Sequence, residues 1–120
     1  MEIKLSSFGH KYGQPEADVI FDARCLENPF WVEELKPLSG LDAPVREYIF
    51  SNPDSLRYAQ ALAEVLKLQI QLAEKRACER LVVAVGCTGG RHRSVAITEF
   101  LAQALSEYSV EIDHRDIKRG

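Results

Sequence analysis

Cys87, Thr88, Gly89, Gly90, Arg91, His92, Arg93 and Ser94 stand consecutively and bring a thiol, two hydroxyls, an imidazole and two guanidinium groups into one short stretch. Gly89 and Gly90 let such a stretch take positive φ and turn tightly, so that successive main-chain N–H groups converge on one point. Arg93 adds a planar fork suited to a bidentate phosphate contact, and Thr88 and Ser94 add hydroxyls. The combination predicts an anion site that binds a phosphate group, with Cys87 through Ser94 as ligand-binding residues. The alternative is a tight turn that uses glycine only to connect two elements.

The same residues admit a second chemistry. Cys87 and Arg93 stand in the spacing Cys-x5-Arg, followed by Ser94, which resembles the phosphate loop of cysteine-dependent phosphatases. There a thiolate attacks phosphorus, the Arg and the loop amides hold the oxygens, and the hydroxyl after the Arg helps the thiolate leave. A thiol at a helix start beside Arg93 and His92 is favoured as the nucleophilic thiolate. On this reading Cys87 and Arg93 are catalytic, and Asp22 and Asp116 are the candidate general acids. Gly86 stands where those enzymes often carry His. On the first reading nothing is catalytic, and Cys87 is a compact residue packed beneath the anion.

The flanking pattern says what positions this loop. Leu81 to Val85 is an unbroken apolar, Val-rich run, which predicts a strand buried on both faces. From Arg93 onward Val95, Ile97, Phe100, Leu101, Ala104 and Leu105 recur at helical spacing. A strand, a Gly-rich turn and a helix start place the loop at the positive end of a helix dipole, at the sheet rim where open α/β sheets bind ligands.

Upstream, Ile3 and Leu5 alternate as an opening strand, and Phe8 to Pro15 forms an aromatic and basic loop that contains Lys11. Ala17 to Phe21 predicts a second strand ending at Asp22 and Arg24. In a parallel sheet these two lie at the rim of the Gly-rich loop, either as ligand contacts or as a pair that ties the strand to the next segment. Cys25 to Pro44 is broken by Pro29, Pro37, Gly40 and Pro44, and Phe30 and Trp31 are expected to plug the core or form a pocket wall. Pro44 to Phe50 reads as a short helix. A long one begins near Asn52-Pro53-Asp54-Ser55, with Ser55 or Asp54 as N-cap and Leu62, Val65, Leu66, Gln69, Leu72 and Ala73 as its core face. Val110, Ile112 and His114 alternate as a last strand. Arg115, Lys118 and Arg119 form a basic tail, expected as a frayed, solvated end. The order β-β-α-α-β-α-β predicts one α/β domain over residues 1–120: a small, mostly parallel four-stranded sheet packed with helices, with the phosphate-binding loop between a buried strand and a helix.

Composition narrows the function classes. The 120 residues are 46% hydrophobic and 28% charged, ordinary for a globular domain, and suffice for one core. No apolar run approaches a membrane span, and the N-terminus lacks a signal-peptide pattern, so no membrane partner and a cytoplasmic location are expected. Cys25, Cys78 and Cys87 are odd in number and widely spaced, which fits reduced thiols and no metal site. The net charge of −3 lacks the field of a nucleic-acid binder, so any RNA contact needs a local patch.

Several ordered motifs extend beyond the loop. Ser7-Phe8-Gly9, Lys11-Tyr12-Gly13, Phe21-Asp22-Ala23-Arg24, Asn28-Pro29-Phe30-Trp31, Pro37-Leu38-Ser39-Gly40-Leu41-Asp42 and Gly86 through Ser94, then His114-Arg115-Asp116, resemble the C-terminal domain of the RapZ RNase-adapter family. The resemblance runs from about Ile3 to Arg119. It implies a non-enzymatic cytosolic regulator whose C-terminal domain senses glucosamine-6-phosphate and binds small regulatory RNAs, which are presented to an RNase. It implies sugar phosphate on Thr88, Gly89, Gly90, His92 and Arg93, with Asp22 and Arg24 nearby. The cations assigned to RNA are Lys11, Arg115, Lys118 and Arg119, and a homo-oligomer is allowed. Full-length members carry an N-terminal nucleotide-binding domain, but this chain has no Gly-x4-Gly-Lys-Ser/Thr and is read as a stand-alone version, with neither ATP nor GTP nor any other cofactor expected. Cys25 and His10 stand where that family usually has aromatics.

Overall fold

The computed structural model describes residues 1–119. Four strands, β1 (Glu2–Gly9), β2 (Val19–Asp22), β3 (Arg80–Cys87) and β4 (Ser109–His114), form one sheet in the order β2-β3-β1-β4. All three pairings are parallel, and they register Gly9 against Cys87, Asp22 against Gly86 and Ser7 against His114. The four carboxyl ends therefore share one rim, so the mostly parallel sheet expected from the sequence is wholly parallel. Three α-helices complete the α/β fold: α1 (Ala43–Phe50), α2 (Pro53–Lys75) and α3 (Arg93–Ala104).

The strand order decides which face each connection covers. The steps from β2 to β3 and from β3 to β4 run the same way across the sheet, so right-handed crossovers put α2 and α3 on one face. There Ile3 and Leu5 of β1 and Leu81, Val83 and Val85 of β3 join Leu62, Leu66, Ile70, Ile97 and Leu101 in a single core. The step from β1 to β2 runs the opposite way and passes over the other face. His10, in a 3-10 turn over His10–Tyr12, packs there edge-on against Phe8 at 4.8 Å. β3 lies between β2 and β1, and Val83, Ala84 and Val85 retain no exposed surface.

Two local expectations are corrected. The N-cap of α2 is Asn52, whose side chain accepts from the Asp54 amide, because Pro53 occupies the first helical position. The core stripe of α2 is Ala59, Leu62, Ala63, Leu66 and Ile70, while Val65 and Leu72 are 42% and 50% exposed. Apolar residues surround this helix, so spacing alone does not single out the buried face.

The basic tail from Arg115 to Arg119 is not frayed. Asp116 is fully buried, accepts from the Gly9 amide at 2.8 Å and pairs with Arg115 at 2.8 Å and Arg119 at 3.3 Å. This carboxylate fastens the last residues to the carboxyl end of β1.

Candidate phosphate-binding site

Beyond Cys87 the chain leaves the sheet and turns into α3 within five residues, and the two glycines divide the work of that turn. Gly90 has φ +77°, and a Cβ there would lie 2.5 Å from the Gly9 nitrogen and 2.9 Å from the Asp116 Cβ. It needs both the left-handed conformation and the close approach. Gly89, expected to share the positive φ, does not; a Cβ on it would meet nothing within 4 Å. Its lack of a side chain keeps space open instead. The loop is clamped from both sides, as the Lys11 amide donates to the Thr88 carbonyl at 3.2 Å and the Gly40 amide to the Arg91 carbonyl at 2.9 Å.

Cys87 is buried. Its Sγ lies 3.1 Å from Ser94 Oγ, and the Gly90 amide donates to it at 3.3 Å. That amide is therefore turned to the sulfur, and Ser94 and Gly90 sit behind the loop. His92 is buried too, and its Nε2 donates to the Leu35 carbonyl at 3.2 Å. Burial lowers its pKa, against the raising effect of nearby carbonyls, so the ring is a neutral donor that ties the loop to the irregular segment. With His92 so engaged, α3 begins without a side-chain cap.

Arg93 is only 6% exposed. Its Nη1 donates to the carbonyls of Arg24 at 2.8 Å and Leu26 at 3.2 Å, and its Nη2 lies 3.5 Å from Thr88 Oγ1. Its Nε is buried and has no partner among the described residues. A guanidinium kept from water with an unused donor is a group with capacity for an anion. No carboxylate within 4.0 Å neutralises it among the described residues.

These groups open onto a cavity of about 480 Å³. Cys87, Thr88, Gly89, Arg91, His92 and Arg93 line it on the loop side. The opposite wall comes from the irregular segment: Asn28, whose side chain caps a 3-10 turn over Pro29–Trp31, then Phe30, Trp31, Glu33 and Lys36. Phe30 and Trp31 meet edge-on at 5.2 Å, and Trp31 is 79% exposed, so the two aromatics are a pocket wall and not a core plug. Lys11 and Arg119 complete the lining. Nothing in their local pattern joins Asn28, Glu33 and Lys36 to the loop; only the Pro and aromatic cluster around them marks the segment.

Asp22 and Arg24 are placed differently from the loop residues. Their side chains pair with each other, with Arg24 Nε and Nη2 donating to the carboxylate at 2.8 to 3.1 Å, and neither lines the cavity. The hydrogen bonds from Arg24 hold the Asp22 carboxyl at about 2, below the usual carboxylate range. What Arg24 supplies to the site is its carbonyl. Tyr58, from α2, donates to the Asp22 carbonyl at 2.5 Å and fixes the same bend.

Of the cations assigned to RNA, Lys11 and Arg119 flank the Tyr12 ring at 5.2 and 4.9 Å and face the cavity. Arg115 is engaged by Asp116 and by the Gly13 carbonyl at 2.6 Å. Lys118 is exposed. Burial would raise the Asp116 carboxyl, but hydrogen bonds from Arg115 and the Gly9 amide outweigh it and keep the group low. Among the described residues no cluster of His, Cys, Asp and Glu suits a metal ion, and no helix is long and apolar enough to cross a membrane.

Comparison with known proteins agrees with the ordered motifs. The family model described as the RapZ C-terminal domain matches residues 1–118. A nucleotide-binding protein of Carboxydothermus hydrogenoformans is 44% identical over 122 residues, covering 99% of this chain and 42% of that protein. A nucleotide-binding protein of Listeria innocua is 42% identical over 98% of this chain and 41% of its own length. One from Lawsonia intracellularis is 43% identical over 100% of this chain and 38% of its own length. The chain thus spans about two fifths of the relatives it matches.

Proposed function

Because this chain belongs to the RapZ C-terminal domain family, we propose that it binds a phosphorylated small metabolite, an amino sugar phosphate of the glucosamine-6-phosphate kind, on the loop from Thr88 to Arg93. The observation that carries this reading is Arg93: buried, carbonyl-held, with an Nε that has no partner among the described residues, on the wall of an open cavity. Phe30 and Trp31 give the cavity an aromatic wall for a sugar, and Glu33 is the one carboxylate among the described residues that line it, a counter-charge for an ammonium group. The relatives are called nucleotide-binding proteins, and this chain has no Gly-x4-Gly-Lys-Ser/Thr with which to hold a triphosphate. The protein is then a sensor. The bound state passes to a small regulatory RNA and an RNase through Lys11, Arg115, Lys118 and Arg119, of which Lys11 and Arg119 line the cavity and Lys118 is exposed.

Calorimetric titration with glucosamine-6-phosphate, glucosamine and inorganic phosphate tests this reading. The sugar phosphate should bind most tightly, and glucosamine alone should not bind.

One contact favours a second reading, a cysteine-dependent phosphatase. Cys87 Sγ lies 3.1 Å from Ser94 Oγ, the arrangement that would stabilise a departing thiolate. Against it, neither candidate acid lines the cavity, as Asp22 is bound to Arg24 and Asp116 is buried on the Gly9 amide at the end of β1. Multiple-turnover hydrolysis of an aryl phosphate, lost in Cys87→Ser, would establish this reading; binding without release supports the sensor.

A further inference from the structure

Asp116 is the one fully buried carboxylate among the described residues, yet it does not line the cavity. Burying such a charge is costly unless hydrogen bonds and counter-charges meet it, so its place needs a reason. Its oxygens meet Arg115 at 2.8 Å, Arg119 at 3.3 Å and the Gly9 amide at 2.8 Å. The two arginines can pair with a carboxylate at the surface; the buried Gly9 amide needs one at this depth. The β1–β4 ladder ends where Ser7 faces His114 and the Arg115 amide donates to the Ser7 carbonyl at 3.2 Å. Asp116 Oδ2 then takes the place that a main-chain carbonyl would hold in a longer β4, so the Gly9 amide stays satisfied while the last residues turn away.

The neighbours of Gly9 supply the reason. A Cβ on Gly9 would lie 2.5 Å from the Gly89 carbonyl carbon and 2.9 Å from the Gly90 nitrogen. A Cβ on Gly90 would lie 2.5 Å from the Gly9 nitrogen and 2.9 Å from the Asp116 Cβ. The main chains of Gly9 and of the loop are therefore stacked without room for a methyl group, and Asp116 packs against the same stack. A shift of Gly9 moves the Gly89–Gly90 peptide with it. Two residues on, the Lys11 amide donates to the Thr88 carbonyl at 3.2 Å and extends the constraint along the loop. We infer that Asp116 is a positioning residue for the anion site: by holding the Gly9 amide it sets the path of Gly89 and Gly90, and so the direction of the loop groups that meet the ligand. The inference rests on the loop being a phosphate site.

The test compares Asp116→Ala, Asp116→Asn and Asp116→Glu with the parent by calorimetric titration with glucosamine-6-phosphate at neutral pH and fixed salt. Circular dichroism reads folding, and proton–nitrogen correlation spectra read the loop amides. The alanine variant leaves the Gly9 amide without its acceptor, and affinity should fall about tenfold or more. The asparagine variant keeps an acceptor at the same reach, and affinity should stay within about threefold of the parent. The glutamate variant keeps the charge but moves the acceptor by one methylene, so it should bind less tightly than the asparagine variant. The Gly89 and Gly90 amide signals should move in the alanine and glutamate variants and stay near their parental positions in asparagine. A merely structural role would lower the melting temperature and leave affinity and loop signals of the folded variants unchanged. An effect of charge alone has the opposite sign, because the alanine and asparagine variants free Arg115 and Arg119 and would strengthen anion binding. Unchanged or tighter binding by a folded Asp116→Ala protein overturns the inference. So does a glutamate variant that binds as well as the asparagine variant or better, a comparison that holds even if the alanine variant does not fold. Binding lost in Arg93→Ala but kept in Asp116→Ala removes this inference alone; a parent that binds no sugar phosphate removes the phosphate-site reading and this inference with it.

Discussion

The guanidinium of Arg93 is held by the main-chain carbonyl of Arg24, at 2.8 Å, while the side chain of Arg24 is turned away to Asp22. One arginine thus orients another through its backbone, and the Asp22–Arg24 pair is a brace for that carbonyl. The bend carrying it is fixed further by the Arg24 amide donating to Asp22 Oδ1 at 2.9 Å and by Tyr58 at the Asp22 carbonyl.

A first prediction separates brace from ligand contact. Arg24→Ala keeps the carbonyl, so sugar-phosphate affinity should stay within about twofold, since a solvent-screened ion pair contributes little. The Asp22 carboxyl, held at about 2 by Arg24, should rise toward its ordinary 3.8 in that variant. NMR titration of the Asp22 carboxyl carbon reads this directly. A tens-fold loss of affinity in Arg24→Ala would instead place its guanidinium on the ligand.

The two loop glycines should respond in opposite ways. Gly89→Ala has room for its methyl group and should fold with nearly unchanged thermal stability, yet the methyl projects from a residue lining the cavity and should weaken phosphate binding. Gly90→Ala has positive φ and backbone neighbours in the way, and should lose about 1–3 kcal/mol of stability. Thermal melts with calorimetry on both variants check the pair; a stable Gly90→Ala would contradict the loop geometry.

Histidine burial sets the acid side of the stability curve. His10 and His92 both have pKa values lowered chiefly by burial, so the unfolded chain takes up protons near 6.5 that the folded protein resists. Their contribution is therefore intact above that value and is lost as pH falls below it. The His10 Nε2 is buried without a partner among the described residues, and it lies over Gly86. His10→Phe removes that unpaired nitrogen and keeps the edge-on packing on Phe8, so it should stabilise the fold by about 1 kcal/mol. Melting temperatures between pH 8 and pH 5 should fall less steeply in this variant than in the parent.

Ala77 follows α2 with φ 59°, and the Ala77 and Cys78 amides close the helix onto the carbonyls of Glu74 and Ala73 at 3.0 and 3.1 Å. This left-handed cap suits glycine, and a side chain there costs about 1 kcal/mol. Ala77→Gly should raise stability by about that amount in urea denaturation, with an unchanged dependence on denaturant.

The loop was legible because its signals are local: a Val-rich strand, two glycines, an Arg and a helical repeat lie within one stretch of chain. The element order was legible for the same reason, since each element has its own period. The opposite wall was not, because Asn28, Glu33 and Lys36 reach the site only through the tertiary clamps that join Gly40 to Arg91 and His92 to Leu35. The core face of α2 was misread because Val65, Leu68 and Leu72 make its outer side apolar as well. The tail looked solvated because burial of Asp116 depends on the Gly9 amide, a contact between opposite ends of the chain. Sequence cannot assign such a partner to a lone carboxylate. Asp22 and Arg24 pair with each other at 2.8 Å, a contact that spacing alone does not separate from a ligand role.

The most direct measurement is the affinity of glucosamine-6-phosphate for the parent and for Arg93→Ala, with circular dichroism to confirm that the variant folds and Arg93→Lys as the variant that keeps the charge. Loss of the buried fork should cost about 2–3 kcal/mol, some tens-fold in affinity or more, and Lys should recover only part because it lacks the planar pair of donors. Undiminished binding by a folded Arg93→Ala protein would contradict the assignment of the phosphate to this loop.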